Sequence, residues 1–390
     1  MLILGVEKVR HDAKHSFTNT ISGTDLIVGA RSGSVQLLLY SVFRIGNATN
    51  NISWNSYRTI AGRKDVKWAI PISLGDSHKG FRVMGTSEGY FRHYRYGQKR
   101  MLRFEAGRPF DDVFDTVLGA EVAEELGYKL DQKIVIDHGL GKGRFSTHKD
   151  KPFRVTGILE RTGTPVDRTV HVSLDGITAI HIDWKGGARV PGMAIDADAT
   201  RKMDLTPRSI TAFMVGLHSR LGAFRVLRDI NEYRGEPLLA ILPGVALQEL
   251  WRLMSTAEAA LRAVSILVVI GGLLGMLTML LTSLNERRRE MAILRGVGAR
   301  PQHVGAMFVV EAISITGAGC GIGLLFFYVG MASLQPVIEY HLGLFMPIAL
   351  PTFREWLILG MVMGAAATTG LIPASMAYRR SLADGMTVRN

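Results

Sequence analysis

The sequence predicts a membrane protein, an α-helical transmembrane bundle of three helices joined to a large mixed α/β domain on a helical stalk. Three observations predict it. The last third of the chain carries three long apolar runs, and the first two-thirds alternates short β-branched stretches with charged segments. The arginines of the short loops also fall on alternate sides of the apolar runs, as membrane topology demands.

Composition agrees with a mixed chain. At 390 residues, 47% hydrophobic and 21% charged, it is too apolar for disorder and too polar to be membrane-embedded throughout. A single cysteine, Cys320, excludes a disulfide framework, a cysteine zinc site and a CxxC redox pair. The net charge is +12, yet from Thr256 onward ten arginines against seven acidic residues leave only +3. The remainder is interleaved with acids rather than gathered in a stripe. With no zinc finger, basic zipper or RNP-like aromatic motif beside it, a nucleic-acid partner is not expected.

The elements follow in order. Val6, Val9, Ala13, Phe17 and Ile21 recur every three or four residues, which predicts an amphipathic stalk helix within 1–22. Residues 23–244 read as the mixed domain. Val66–Leu74, Lys133–Asp137, Phe153–Glu160, Thr169–Ser173, Ile210–Gly216 and Pro237–Leu242 are β-branched and bounded by Gly, Pro or Asp, as strands are. Ala120–Leu126 and Gly222–Tyr233 have helical spacing. A second stalk helix, 245–262, starts near Val245 and runs through Glu249 and Trp251 into the first span.

The membrane part is 263–390, with spans at about 263–284, 304–334 and 356–378. Val264–Leu284 holds no charge across 21 residues, which as a helix covers about 31 Å, enough for a bilayer core. Val304–Leu334 is broken only by Glu311, and Trp356–Tyr378 ends at Arg379 and Arg380. The loop 285–303 holds Arg287, Arg288, Arg289, Arg295 and Arg300, so it should be cytoplasmic, as should the tail with Arg379, Arg380 and Arg389. The loop 335–355 should face outward, and so should the large domain, because long domains translocate largely regardless of charge.

Chemistry-bearing motifs are few. His138-Gly-Leu-Gly-Lys-Gly-Arg144 lacks the Lys-Ser/Thr ending of a phosphate loop and reads as a hairpin. His11 and His15 are four apart, a metal-compatible spacing, but no third ligand accompanies them and they read as a solvated helix face. The other histidines show no ligand cluster, and no metal site is expected. No nucleophile motif is present, so a noncatalytic chain is expected. Glu311 is costly within a span and should lie near the cytoplasmic arginines. Gly271 with Gly275, Gly317 with Gly321 and Gly360 with Gly364 have the GxxxG spacing that lets helices approach closely, and Pro373 removes a backbone donor from the last span.

The informative segment is Asn285-Glu-Arg-Arg-Arg-Glu-Met-Ala-Ile-Leu-Arg-Gly-Val-Gly-Ala-Arg300. Met291, Ile293, Leu294 and Val297 form an apolar face, with Glu286, Arg287, Glu290 and Arg295 opposite, and Gly296 and Gly298 can turn the chain toward the next span. It is either a topogenic anchor or a short helix that docks on a cytosolic partner.

NERRREMAILRGVGARPQHVGAMFVVEA and the closing Gly370-Leu-Ile-Pro-Ala374 with Arg379-Arg380 resemble the FtsX-like permeases, which include the macrolide-exporter (MacB) and lipoprotein-release types. TVLGAEVAEELGYKLDQKIVI and FRVTGILERTGTPVDRTVHVSL resemble the periplasmic domain of the MacB type. The resemblance implies a noncatalytic permease of the bacterial inner membrane, most simply a homodimer or a heterodimer with a paralogous permease. It implies a cytosolic ATPase partner, which holds ATP and Mg and which Glu286 to Arg295 would contact. It also implies passage of movement along the stalk to the periplasm for export or lipoprotein release, with a periplasmic adaptor or outer-membrane component. The alternative implied is a signalling scaffold controlling a periplasmic hydrolase. The family has four spans. Here Met1–Val6, before the charged Glu7 and Lys8, is far short of one, so a truncated or mis-started gene product is expected, with a genuine three-span form as the alternative.

Overall fold

The computed structural model describes Gly5 and residues 20–139, 148, 150–185, 188–189, 195–342 and 351–379. Most of the first stalk helix with His11 and His15, residues 140–144 of the glycine-rich stretch, and Arg380 and Arg389 lie outside the described residues. The chain forms two compact units, divided between Leu253 and Met254 apart from short segments.

The first unit is built on one eleven-stranded mixed sheet. Its main strands are β1 (Leu26–Ala30), β2 (Val66–His78), β3 (Phe81–Thr86), β4 (Phe104–Gly107), β5 (Asp115–Leu118), β6 (Phe153–Leu159), β7 (Thr169–Ser173), β8 (Ala212–Leu217) and β9 (Leu238–Ile241). They lie in the order β9-β1-β8-β2-β3-β7-β5-β6-β4, with Asp137–His138 added to β2 and Lys133–Ile134 to β6. Pairs β3–β7 and β5–β6 are parallel, and the other pairs are antiparallel.

The expected strands in β2, β6, β7, β8 and β9 are present, whereas Lys133–Asp137 divides into two short pieces that join different neighbours. Strands β1 and β5 carry no alternation because every residue of each is buried; a strand covered on both faces has no polar side to betray it. The helix Ala120–Leu126 ends at Gly127, whose φ of 66° is the left-handed conformation that stops a helix. Helix Leu174–His181 follows β7 without a loop. Ser173 caps it, its side chain accepting from the Gly176 N–H at 2.9 Å.

Pro243–Glu286 is one helix of 44 residues, opened by a proline at its first position. Its first turns belong to the sheet unit. Ala246 is buried there, and Leu247, Leu250 and Trp251 pack on the cluster that holds Ile27, Tyr40 and Ile241.

The second unit is helical. The rest of Pro243–Glu286 is followed by Arg288–Gly296, Pro301–Leu342 and Phe353–Arg379. Among the described residues three of these are long and apolar enough to cross a membrane. Leu280, Leu284, Phe308, Ala312 and Ala366 form their small shared core. Their remaining apolar side chains, such as Leu267, Leu325 and Phe326, are exposed, as lipid-facing residues must be.

Candidate functional site

The charged segment between the first two apolar helices folds as a short helix, Arg288–Gly296, with Arg287 at its N-cap. Glu286 belongs to the preceding helix rather than to this one. Met291 turns inward against the helical core, but Ile293, Leu294 and Val297 are exposed at 59%, 39% and 79%. Two exposed apolar side chains on a nine-residue helix and a third at its C-cap are an unpartnered face. Glu290 is also exposed, and Arg295 is half-buried.

Arg287, expected to contact the ATPase, also has a neighbour within this chain. Its guanidinium Nη1 is 4.0 Å from Glu311 Oε2, so it faces the chain's own carboxylate. This places Glu311 beside a loop arginine, as its position after His303 implied. Of the two turn glycines, Gly298 does the turning, with φ 102°, while Gly296 stays within the helix. The Gly298 N–H donates to Arg295 O at 3.2 Å and the Ala299 N–H to Leu294 O at 3.0 Å, closing the helix end.

Among the described residues the GxxxG positions show no close approach. A Cβ at Gly271, Gly275, Gly321, Gly360 or Gly364 would meet nothing within 4 Å, and at Gly317 only the Met363 Cε at 3.6 Å. The tight contact falls at Gly370, where a Cβ would lie 3.0 Å from Ala312 Cβ and 3.2 Å from Phe308 O. The spacing motif is blind to rotation: helix phase put Gly370, not the paired glycines, on the inner face. Pro373 lies inside Phe353–Arg379.

The sheet unit holds a constellation that overturns the expectation of no histidine cluster. Asp76 lies where the β2–β3 ladder slips between Leu74 and Ser77, an irregularity of the kind that re-aims a side chain. His138 is its direct antiparallel partner. His138 Nδ1 lies 3.1 Å from Asp76 Oδ1 and 3.0 Å from His181 Nε2, and His181 Nε2 is 3.5 Å from the same Asp76 oxygen. His148 is buried at 1% exposure, its ring centroid 5.0 Å from that of His181. One ring nitrogen from each of the three histidines lies within 4.8 Å of the others. Trp184 walls the cluster, 4.6 Å from the His148 ring and 5.7 Å from that of His138.

The electrostatics follow from this crowding. Burial pushes the Asp76 carboxyl up, but the hydrogen bonds from His138 and His181 outweigh it and hold the group at about 2. Burial pulls His181 down, yet its contact with Asp76 leaves it raised. Burial, then the neighbouring His181, pushes His148 down to about 4. Among the four residues the sequence separations are 62, 43 and 10 positions, and no local spacing could have shown the convergence.

Comparison with known proteins covers most of the chain. Residues 6–212 match the MacB-like periplasmic core domain, and residues 262–382 match the FtsX-like permease C-terminal model. A macrolide export ATP-binding/permease protein MacB of Hyphomonas neptunium is 26% identical over 345 residues, covering 86% of this chain and 48% of that protein. A pyoverdine export ATP-binding/permease protein PvdT of Pseudomonas fluorescens is 22% identical over 267 residues, covering 67% and 37%. The chain thus spans about half, or less, of the length of these curated relatives. The crystal structure of the periplasmic region of MacB from Actinobacillus actinomycetemcomitans aligns with a TM-score of 0.36 at 11% identity, over 59% of this chain and 94% of that one.

Proposed function

The chain belongs to the MacB-type, FtsX-like family of ABC transporter permeases, and from that premise we propose that it is a noncatalytic transmembrane subunit driven by a cytosolic ATPase partner. The observation that carries this reading is the helix Arg288–Gly296. It sits between two helices apolar enough to span a bilayer and presents Ile293, Leu294 and Val297 to water beside the exposed Glu290. A short amphipathic helix of this kind suits a groove on a partner, with its apolar side chains as anchors and its charges setting register.

In this reading ATP and Mg are held by the partner. In the same reading the short helix lies on the cytoplasmic side of a bacterial inner membrane and the sheet unit in the periplasm, which the loop arginines support. Movement would pass from Arg288–Gly296 through Pro243–Glu286, whose opening turns pack on the sheet core. The working unit would be a dimer with two ATPase copies, joined in the periplasm by an adaptor or outer-membrane component. It would serve export or the release of a lipoprotein or peptide.

The double variant Glu290→Ala with Arg295→Ala tests the reading. Arg287, Arg288, Arg289 and Arg300 remain to hold the orientation, so membrane insertion should be unchanged. Co-purification with the ATPase should be lost, or kept without the stimulation of ATP turnover that assembly brings. Normal assembly and normal turnover would reduce the segment to a topogenic anchor.

A further inference from the structure

We propose that Asp76, His138, His148 and His181 form a binding site for a zinc-class divalent metal ion in the sheet unit. His181 Nδ1 lies 2.8 Å from the Ile177 carbonyl oxygen, four residues back in its own helix. A carbonyl can only accept, so Nδ1 carries a proton, and Nε2 either donates a second proton to Asp76 in the charged ring or offers a lone pair in the neutral ring that a metal ion would bind. Nε2 faces an Asp76 oxygen at 3.5 Å and His138 Nδ1 at 3.0 Å.

With His181 neutral, His138 Nδ1 has one proton at most, yet it has two acceptors to serve, since Asp76 Oδ1 stands 3.1 Å away. His148 adds a further unmet group: its Nε2 is buried and has no hydrogen-bond partner among the described residues. Ring nitrogens and a buried carboxylate that converge in this way suit a cation, which would take the place of the shared protons. The nearby cation Lys151 does not fill this role, because its Nζ is engaged by Asp183 Oδ1 at 2.8 Å.

The donor set selects the ion. Imidazole nitrogens with one carboxylate suit Zn²⁺ and its neighbours, whereas Mg²⁺ and Ca²⁺ prefer all-oxygen shells. Zinc–nitrogen bonds of about 2.0–2.1 Å in a tetrahedron put ligand atoms about 3.3–3.4 Å apart. The observed separations of 3.0, 3.1 and 3.5 Å bracket that spacing. The Ile177 carbonyl already orients His181 from behind, as outer-shell partners of metal ligands do. The three histidine nitrogens lie within 4.8 Å of one another and Asp76 adjoins two of them; on drawing in around the ion the four would close its shell, so that it would brace the unit rather than activate water. It would tie β2, the strand Asp137–His138, residue 148 and the end of helix Leu174–His181 to one point.

Full-length protein, purified in detergent with a tag that contains no histidine and stripped by chelator, should be titrated with Zn²⁺ against a chromophoric competitor. One equivalent per chain should bind with sub-micromolar affinity and raise the thermal midpoint. Zinc X-ray absorption should show imidazole scattering and a shell at about 2.0–2.1 Å. His138→Ala, at a half-exposed side chain, and Asp76→Asn should each weaken binding by roughly 100-fold or more, the upper end of what disturbing a metal's surroundings costs. His11→Ala with His15→Ala should leave the equivalent in place. No bound equivalent in the unaltered chain, a shell without imidazole, or its loss only in the His11/His15 variant would overturn the proposal. So would undiminished binding in His138→Ala.

Discussion

Lys151 Nζ lies 2.8 Å from Asp183 Oδ1, and both side chains are only 1% exposed. A fully desolvated ion pair holds together well but tolerates the loss of one partner poorly, because the survivor keeps its charge without a counter-ion. Lys151→Met should therefore destabilise the chain by about 3–5 kcal/mol. Lys151→Met with Asp183→Asn should lose clearly less than the two single variants summed, since no bare charge is left. Thermal unfolding in micelles, followed by tryptophan fluorescence, measures both. Strict additivity would show that the pair is not coupled.

His171 gives the sheet unit an acid limit. Burial, then the charge of Arg44, pushes it down to about 3, and its hydrogen bond with the Val117 carbonyl does not compensate. Between about 3 and its ordinary value of 6.5, the unfolded chain binds a proton that the folded chain refuses. Stability should fall as pH drops through that window, by up to about 1.4 kcal/mol per pH unit from this group. His171→Phe keeps the packing against Tyr90 and Phe91 and should flatten that slope in a pH series of thermal midpoints. An unchanged slope would assign the acid limit to another group.

Gly370 and Gly275 should respond in opposite ways. A side chain at Gly370 runs into Ala312 Cβ at 3.0 Å and Val309 Cα at 3.2 Å, while one at Gly275 meets nothing within 4 Å. Gly370→Val should cost about 1–3 kcal/mol through overpacking. Gly275→Val should leave the thermal midpoint of the detergent-solubilised chain unchanged. If the two variants fall together, Gly275 packs against something outside the described residues.

Arg287 and Glu311 should behave as one unit, apart from the docking charges. At 4.0 Å and 53% and 28% exposure, the pair is weak, worth no more than about 1 kcal/mol. Arg287→Ala, Glu311→Gln and their combination should give equally small losses of stability, with ATP turnover in the assembled complex near that of the unaltered chain. A loss of turnover confined to Arg287→Ala would move Arg287 to the partner-facing set with Glu290.

Much of this was legible in the sequence because some patterns have only one physical outlet. Twenty-one residues without a charge, Val264–Leu284, cannot be hydrated cheaply and are too long for an ordinary soluble core helix. The strand Thr169–Ser173 and helix Ala120–Leu126 were legible because β-branched residues and a helix-stopping Gly127 act locally. Strands Leu26–Ala30 and Asp115–Leu118 were not, since burial on both faces erases the alternation that marks a strand.

What only the tertiary structure decided is phase and convergence. Sequence marked Gly271, Gly275, Gly360 and Gly364 by spacing, but helix rotation gave the inner face to Gly370. Arg287 reads as one more loop cation until the fold brings Glu311 to it from the next helix. Asp76, His138, His148 and His181 are scattered over more than a hundred positions and carry no motif. A ladder irregularity in β2, an antiparallel pair and one capped helix bring Asp76, His138 and His181 within 3.5 Å of one another, and the His148 ring joins the two other imidazoles. Sequence alone determines what is apolar, charged or turned because those preferences act over a few residues. Which distant lone pairs meet is set by strand register and helix phase, which only the packed chain specifies.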